Sequence, residues 1–163
     1  MKMIVDNHLF ESKYEQYKNT LFRIAFTYLK NTEDCEDVIQ EVFIKYLSSS
    51  PEFYNEEHEK RWLIRVTVNK CKNHLDLFWN KNRANTDSLE MFNVSPKEED
   101  LLSEVMALPD RYKAVIYLHY IEGYKVNEIA QILKIGSSAV KMRLKKGREL
   151  LRMECEEVNY ERR

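Results

Sequence analysis

Glycine, proline and cysteine are all scarce in this chain of 163 residues, which contains three of each. Few glycines and prolines leave few breaks in regular structure, and together with 33% charged residues this composition favours helices over sheets. Cys35, Cys71 and Cys155 are odd in number and widely spaced, so reduced thiols are expected and a disulfide framework is not. We therefore predict an all-α protein without disulfides.

Long apolar runs are missing as well. A membrane-spanning helix needs about 20 successive apolar residues, and no stretch of this sequence approaches that length. The N-terminal stretch MKMIVDNHLFESKYEQ lacks the apolar run of a secretory signal. We therefore expect a cytoplasmic protein with no direct membrane insertion.

Motifs of catalysis and metal binding are also absent. The sequence has no glycine-rich phosphate loop, and its four histidines are scattered without a nucleophile or base at motif spacing. We expect neither enzymatic activity nor a cofactor. A metal or redox sensor remains an alternative, because Cys71 and His74 are spaced i, i+3 with Cys35 as a third candidate, although structural zinc takes four ligands.

Charge, by contrast, is abundant and strongly segregated, although the net charge is only -1. Residues 31–59 contain nine acidic side chains and one lysine, whereas residues 60–83 contain seven lysines or arginines and one aspartate. The segment 85–110 is acidic again, and the segment 137–152 is basic. Such a chain can bind a polyanion and a cationic partner at the same time.

Apolar periodicity and capping signals predict two helical domains. Three long helices are expected in the first, with Asp34 as the cap of the second helix. The stretch NKNRANTDSLEMFNV loses this periodicity, and SPKE then supplies a Ser95 cap, a proline at the first helical position and a capping-box glutamate. The predicted divisions are a first domain of residues 1–79, a flexible linker of residues 80–94 and a second domain of residues 95–163.

The second domain ends in a predicted helix-turn-helix. The short helix VNEIAQIL is followed by the turn KIG and by a basic helix whose Val140, Leu144 and Gly147 share one narrow face. In this motif the start of the second helix reaches base edges in the major groove, and later basic residues meet phosphates. The reading candidates are Ser137, Ser138, Lys141, Met142 and Lys145, and the phosphate candidates are Lys146, Arg148 and Arg152.

Two further surfaces are predicted in the first domain. On its second helix Asp37, Gln40 and Glu41 form a polar ridge opposite the apolar positions. On its third helix basic, aromatic and amide side chains alternate, which suits single-stranded nucleic acid because unpaired bases need stacking and edge hydrogen bonds. Taken alone, a polar ridge is normally just solvated surface. The third-helix pattern, taken alone, equally fits a buried tryptophan with solvated lysines. The third-helix candidates are Lys60, Arg61, Trp62, Arg65, Asn69 and Asn73.

Three segments in this order resemble the bacterial extracytoplasmic-function sigma factors, the smallest group of the major sigma family. The segments are EDCEDVIQEVF, KRWLIRVTVNKCKNHL and ALPDRYKAVIYLHYIEGYKVNEIAQILKIGSSAVKMRLKKGRELL, and the likeness runs from about Leu9 to Arg152. The resemblance implies a region-two helical domain and a region-four helix-turn-helix domain, without the extra middle domain of larger members. It also implies a factor that directs core RNA polymerase to promoters and breaks no bond itself.

The resemblance assigns a partner to each surface. The ridge of Asp37, Gln40 and Glu41 would dock on the clamp helices of the largest polymerase subunit, and the third helix would capture the non-template strand of the minus-ten element. The basic C-terminal helix would read the minus-thirty-five element as duplex, nearby helices would contact the polymerase flap, and the linker would thread toward the RNA exit path. An anti-sigma protein, often membrane-anchored, would mask both domains. The alternative is a helix-turn-helix regulator that binds duplex DNA without docking on polymerase.

The helix-turn-helix departs from the family pattern at its caps and turn. Family members commonly have Ser or Thr at both N-caps and Gly in the turn, whereas this chain has Lys125, Gly136 and Lys134. A lost side-chain cap costs about 1 kcal/mol, although Gly costs less. The exact start of the reading helix is therefore the least certain boundary of the motif.

Overall fold

The computed structural model describes residues 7–49, 51–78 and 96–161, with side chains for residues 8–49, 51–77 and 101–152. The chain divides into two compact units, Met1–Phe92 and Asn93–Arg163. All regular structure in the described residues is helical, which confirms the all-α prediction. The predicted linker, residues 80–94, lies outside the described residues.

In residues 7–49 and 51–78, the first unit is a bundle of three helices, each packed against the other two. They are α1 (Asn7–Leu29), α2 (Thr32–Ser49) and α3 (Glu56–Phe78). Their shared core is fully buried and consists of large apolar side chains, among them Leu21, Phe26, Ile39 and Leu63. The three long helices that the sequence predicts for this domain are present.

The cap of α2 differs from the prediction. Asn31 caps the helix, because its Oδ1 accepts the backbone N–H of Asp34 at 2.8 Å. Asp34 lies one turn further on, where its carboxylate accepts a hydrogen bond from Asn31 Nδ2 at 2.6 Å and lies close to the positive end of the helix dipole. The prediction of Asp34 as cap was wrong because Asn and Asp have nearly equal capping preference and only the backbone path distinguishes them.

A buried carboxylate joins the three helices of the first unit. Glu59, in the first turn of α3, is 5% exposed. Its Oε1 accepts hydrogen bonds from the Tyr17 hydroxyl and the Lys13 ammonium, both at 2.9 Å, and its Oε2 accepts one from the Tyr46 hydroxyl at 2.8 Å. Since a buried carboxylate is tolerated only when its oxygens are satisfied, these contacts hold the start of α3 against both α1 and α2.

This cluster predicts a loss of stability at alkaline pH. Burial, the hydrogen bonds to Glu59 and its negative charge raise the pKa values of Tyr17 and Tyr46 above the ordinary 10.0. Because the folded pKa is the higher one, the stabilising contribution is complete below pH 10 and is lost as the pH rises toward the folded pKa. We expect the free energy of unfolding to fall by up to about 1.4 kcal/mol per pH unit for each tyrosine above about pH 10.

Denaturant unfolding at a series of pH values measures this slope. Tyr46→Phe should make the alkaline slope shallower, whereas the control Tyr54→Phe, at a side chain that is 94% exposed, should leave it unchanged. Identical slopes in both variants would contradict the role of the buried phenols.

In residues 96–161, the second unit forms four α-helices and one π-helical turn. They are α4 (Pro96–Ala107), α5 (Asp110–Ile116), the π-helical turn (Tyr117–Ile121), α6 (Val126–Leu133) and α7 (Ser137–Glu161). Pro96 is the first residue of α4, as predicted, whereas its expected cap Ser95 lies outside the described residues. Gly123 follows the π-helical turn with φ 79°, the left-handed conformation that is typical of a glycine ending a helical segment.

Helix α7 approaches α5 closely at Gly147. A Cβ atom at this position would lie 2.7 Å from Cγ1 and 2.8 Å from Cδ1 of Ile116, a fully buried side chain. Gly147→Val should therefore lower the free energy of unfolding by about 1–3 kcal/mol, because the overpacked core must shift. Lys146→Val places the same side chain on the exposed face and should change stability by only about 0.5 kcal/mol. Equal losses in circular-dichroism melts would contradict this close packing.

Candidate functional site

The polar side chains of α2 form an exposed ridge, as predicted. Asp37, Gln40 and Glu41 are exposed, and Ile44 continues the row at 63% exposure. The opposite face of the helix is buried and holds Val38, Ile39, Val42 and Phe43. We call Asp37, Gln40, Glu41 and Ile44 the α2 ridge. It combines two negative charges with an apolar side chain that is mostly exposed.

Four of the polar candidates on α3 form one row along the helix. Arg61, Arg65, Asn69 and Asn73 follow one another at intervals of four residues, so each is the surface neighbour of the next. The two asparagines are exposed and the two arginines are half-buried. We call these four residues the α3 row. Lys60, the remaining basic candidate, is half-buried at the start of the helix.

Trp62 lies in an aromatic cluster rather than in the α3 row. Its ring meets Tyr46 at a centroid distance of 6.1 Å and Phe53 at 5.8 Å, both edge-on. Phe53 also stacks on Tyr46 at 6.2 Å. The half-buried indole therefore ties the segment between α2 and α3 to the bundle, and only part of it is available to a ligand.

Sequence reasoning missed Tyr54, which follows Phe53 in this segment. Tyr54 is 94% exposed, and its ring stacks on His58 at a centroid distance of 5.2 Å. Its backbone N–H donates to His58 Nδ1 at 3.1 Å, and Asn55 Oδ1 caps α3 by accepting the His58 N–H at 2.8 Å. An aromatic residue directly before an asparagine cap was the available signal.

The helix-turn-helix has the bounds that the sequence predicted. Helix α6 spans the segment VNEIAQIL, and α7 begins at Ser137, directly after Gly136. Ile129, Ala130, Ile132, Val140 and Leu144 are buried. Leu133 and Ile135 are only half-buried.

The unusual caps of the motif are compensated by other contacts. Glu128 replaces the missing side-chain cap of α6, since its Oε1 accepts the backbone N–H of Lys125 at 2.9 Å. The Ser137 hydroxyl donates to Asn127 Oδ1 at 3.1 Å and so ties the start of α7 to α6. Lys134 adopts the left-handed conformation with φ 54°, at a cost of roughly 1–2 kcal/mol for a residue with a Cβ atom.

The outer face of α7 is exposed and basic. Ser137, half-buried by its contact with α6, is the exception among the predicted residues. Lys146 Nζ lies 4.0 Å from Glu149 Oε2, and Arg148 Nη1 donates to the Tyr120 hydroxyl at 3.5 Å, so the far end of this face is partly engaged. The exposed residues are Ser138, Lys141, Met142, Lys145, Lys146, Arg148 and Arg152.

The cysteine and histidine residues do not form a metal centre in the described part of the chain. Cys35 and Cys71 are fully buried, and His74 Nε2 lies 3.5 Å from Asp34 Oδ1. Within residues 8–49, 51–77 and 101–152, no three potential ligands come together. Among the described helices, none is long and apolar enough to cross a membrane.

Comparison with known proteins identifies the two units. The family model for Sigma-70 region 2 matches residues 14–76, and the model for Sigma-70 region 4 matches residues 98–151. The chain is also 31% identical over 142 residues to the RNA polymerase sigma factor SigV of Bacillus subtilis. This alignment covers 85% of this chain and 86% of SigV. The chain belongs to the extracytoplasmic-function sigma factors. It thus directs core RNA polymerase to promoters, and the plain helix-turn-helix regulator is not favoured.

Two further comparisons agree with this family. The sigma factor is 27% identical over 172 residues to the ECF RNA polymerase sigma factor SigW of Bacillus subtilis, across 94% of this chain and 92% of that one. A solved structure of the sigma factor RpoE in complex with the anti-sigma factor NepR, from Bartonella quintana, has a TM-score of 0.66 at 17% identity. That match covers 88% of this chain and 94% of RpoE, and it supports the fold.

Proposed function

We propose that the sigma factor divides promoter recognition among three surfaces. The α2 ridge docks on the clamp helices of core polymerase, the α3 row captures the opened minus-ten strand, and α7 reads the intact minus-thirty-five duplex. The observation that carries this proposal is the separation of charge: an acidic ridge and a basic row on neighbouring helices of one unit, and a second basic face in the other.

Docking of the α2 ridge on a protein is favoured by its composition. Asp37 and Glu41 supply the charge that a cationic surface complements, and Ile44 supplies exposed apolar area beside them. DNA would be repelled by the same carboxylates. The acidic ridge therefore keeps the nucleic acid on α3 and leaves α2 to the polymerase.

Strand capture by α3 uses its arginines and amides in different roles. Arg61 and Arg65 suit phosphates, and Asn69 and Asn73 present donors and acceptors to base edges. Tyr54 joins this surface as a stacking platform, since its ring is exposed next to the start of α3 and is held by His58. Trp62 acts mainly as the support of this segment.

Recognition of the duplex by α7 combines sequence-independent affinity with discrimination between bases. Lys146, Arg148 and Arg152 neutralise phosphates and release counterions, which gives affinity without sequence preference. The groups that distinguish bases belong to Ser137, Ser138, Lys141, Met142 and Lys145. Neighbouring helices of the second unit contact the polymerase flap.

The linker and the partners complete the proposal. Residues 80–94 join a first domain of residues 1–79 to a second of residues 95–163 and run toward the RNA exit path. Two DNA-binding domains on one polymerase raise each other's effective concentration at the promoter, so neither domain has to bind DNA tightly alone.

An anti-sigma protein masks both domains in the cytoplasm until a stress releases them, as suggested by the RpoE complex with NepR. Promoter opening is driven by binding energy, with no bond broken by the sigma factor.

Strand capture is tested at Tyr54 with reconstituted holoenzyme. The probe is the non-template minus-ten strand of a promoter identified by mapping transcript starts after overexpression. Tyr54→Ala should weaken binding of this strand by about 5-fold to 100-fold, the usual range for loss of one stacked base. Tyr54→Phe keeps the ring and should bind as the unaltered factor does. Equal binding by all three proteins would overturn the stacking role.

A further inference from the structure

Met142 lies at the outermost point of α7. Val140 and Leu144, two positions before and after it, are 0% and 2% exposed, whereas Met142 is 72% exposed. Two positions along an α-helix turn the side chain by about 200°, so Met142 points directly away from the core on which α7 packs. Its exposure has no explanation in the packing of the second unit.

The surroundings of Met142 are polar and positively charged. Ser138 lies one turn before it, Lys145 and Lys146 lie one turn after it, and all three are exposed. Single exposed apolar side chains are common on protein surfaces. Met142 differs from them because it occupies the centre of a cationic helix face, the position that enters deepest when such a face lies in the major groove.

We propose that Met142 makes the minus-thirty-five reader specific for thymine by contacting its 5-methyl group. This inference rests on the proposed function of α7. The thymine methyl is the apolar group that base pairs present in the major groove, and lysine and serine have no apolar end with which to recognise it. The unbranched, polarisable thioether can reach and adapt to such a group.

The inference is tested by removing the methyl group from the DNA. The probes are two minus-thirty-five duplexes of the same mapped promoter, one with thymine and one with uracil at every thymine position of the element, bound by reconstituted holoenzyme. Loss of contact with one methyl group should weaken binding by about fourfold. The unaltered factor should therefore prefer thymine, whereas Met142→Ala should bind both duplexes equally.

Lys146→Ala is the matched control on the same helix. It should weaken binding of both duplexes by the same factor, because a phosphate contact ignores the methyl group. Equal binding of both duplexes by the unaltered factor, or a preserved thymine preference in Met142→Ala, would overturn the inference while the role of α7 stands. If Lys146→Ala changes neither affinity, the role of α7 fails and the inference fails with it.

Discussion

The Asp37→Arg, Glu41→Arg double variant is expected to bind core polymerase at least about 100-fold more weakly than the unaltered sigma factor. Both carboxylates are exposed on the α2 ridge, so their replacement leaves the bundle core intact. Charge reversal would place two cations against the cationic surface proposed for the clamp, and like charges across an interface cost several kcal/mol. Titration of labelled sigma factor with core polymerase measures the affinity.

A matched control changes the same charge elsewhere on the first unit. Glu11 and Glu15 are also exposed and four residues apart, but they lie on α1. Glu11→Arg, Glu15→Arg should bind core polymerase nearly as the unaltered factor does, although it breaks a surface ion pair between Glu15 and Lys18. An equal loss in both double variants would show that net charge, and not the ridge, controls docking.

Removal of three positive charges from α7 should have the second large effect. The variant carries Lys146→Gln, Arg148→Gln and Arg152→Gln, all at exposed positions. Each lost phosphate contact lowers the log-log salt slope by about 0.9, so three should reduce it by about 2.7. At physiological salt the same loss corresponds to about 100-fold in promoter affinity. Holoenzyme binding to promoter DNA across a series of salt concentrations gives both quantities.

Three basic residues of the first unit supply the control. Lys18→Gln, Lys30→Gln and Lys45→Gln together remove the same charge from positions outside the α3 row. This variant should retain the slope and most of the affinity of the unaltered factor. A slope that falls equally in both variants would point to a diffuse field of the whole protein and away from contacts made by α7.

The helix boundaries were largely predictable because they depend on local patterns. The bounds of α6 and the start of α7 follow from apolar spacing and from the glycine before Ser137. Gly123 marked the end of its helical segment for the same reason. The sequence predicted Asp34 as the cap of α2, whereas the cap is Asn31, because both residue types cap helices well. The π-helical turn at Tyr117–Ile121 had no distinct signal, because its residues continue the apolar pattern of α5.

The candidate surfaces were predictable only where they depend on one helix. The α2 ridge follows from spacing alone, and the structure confirms its exposure. Spacing on one helix could not predict the exposure of Tyr54 or the burial of Glu59. Both depend on how the segment between α2 and α3 packs on the bundle. The half-burial of Trp62 has the same origin. The roles of all these residues in binding stay predictions.

The most direct measurement is transcription from a mapped promoter by core polymerase and this sigma factor alone. The account predicts transcripts that start at the mapped site, that require the sigma factor, and that disappear with the double charge reversal of the α2 ridge. Because the proposed masking requires an anti-sigma protein, no inducing signal should be needed in the purified system. Failure of the unaltered factor to start any transcript with active core polymerase would contradict the account.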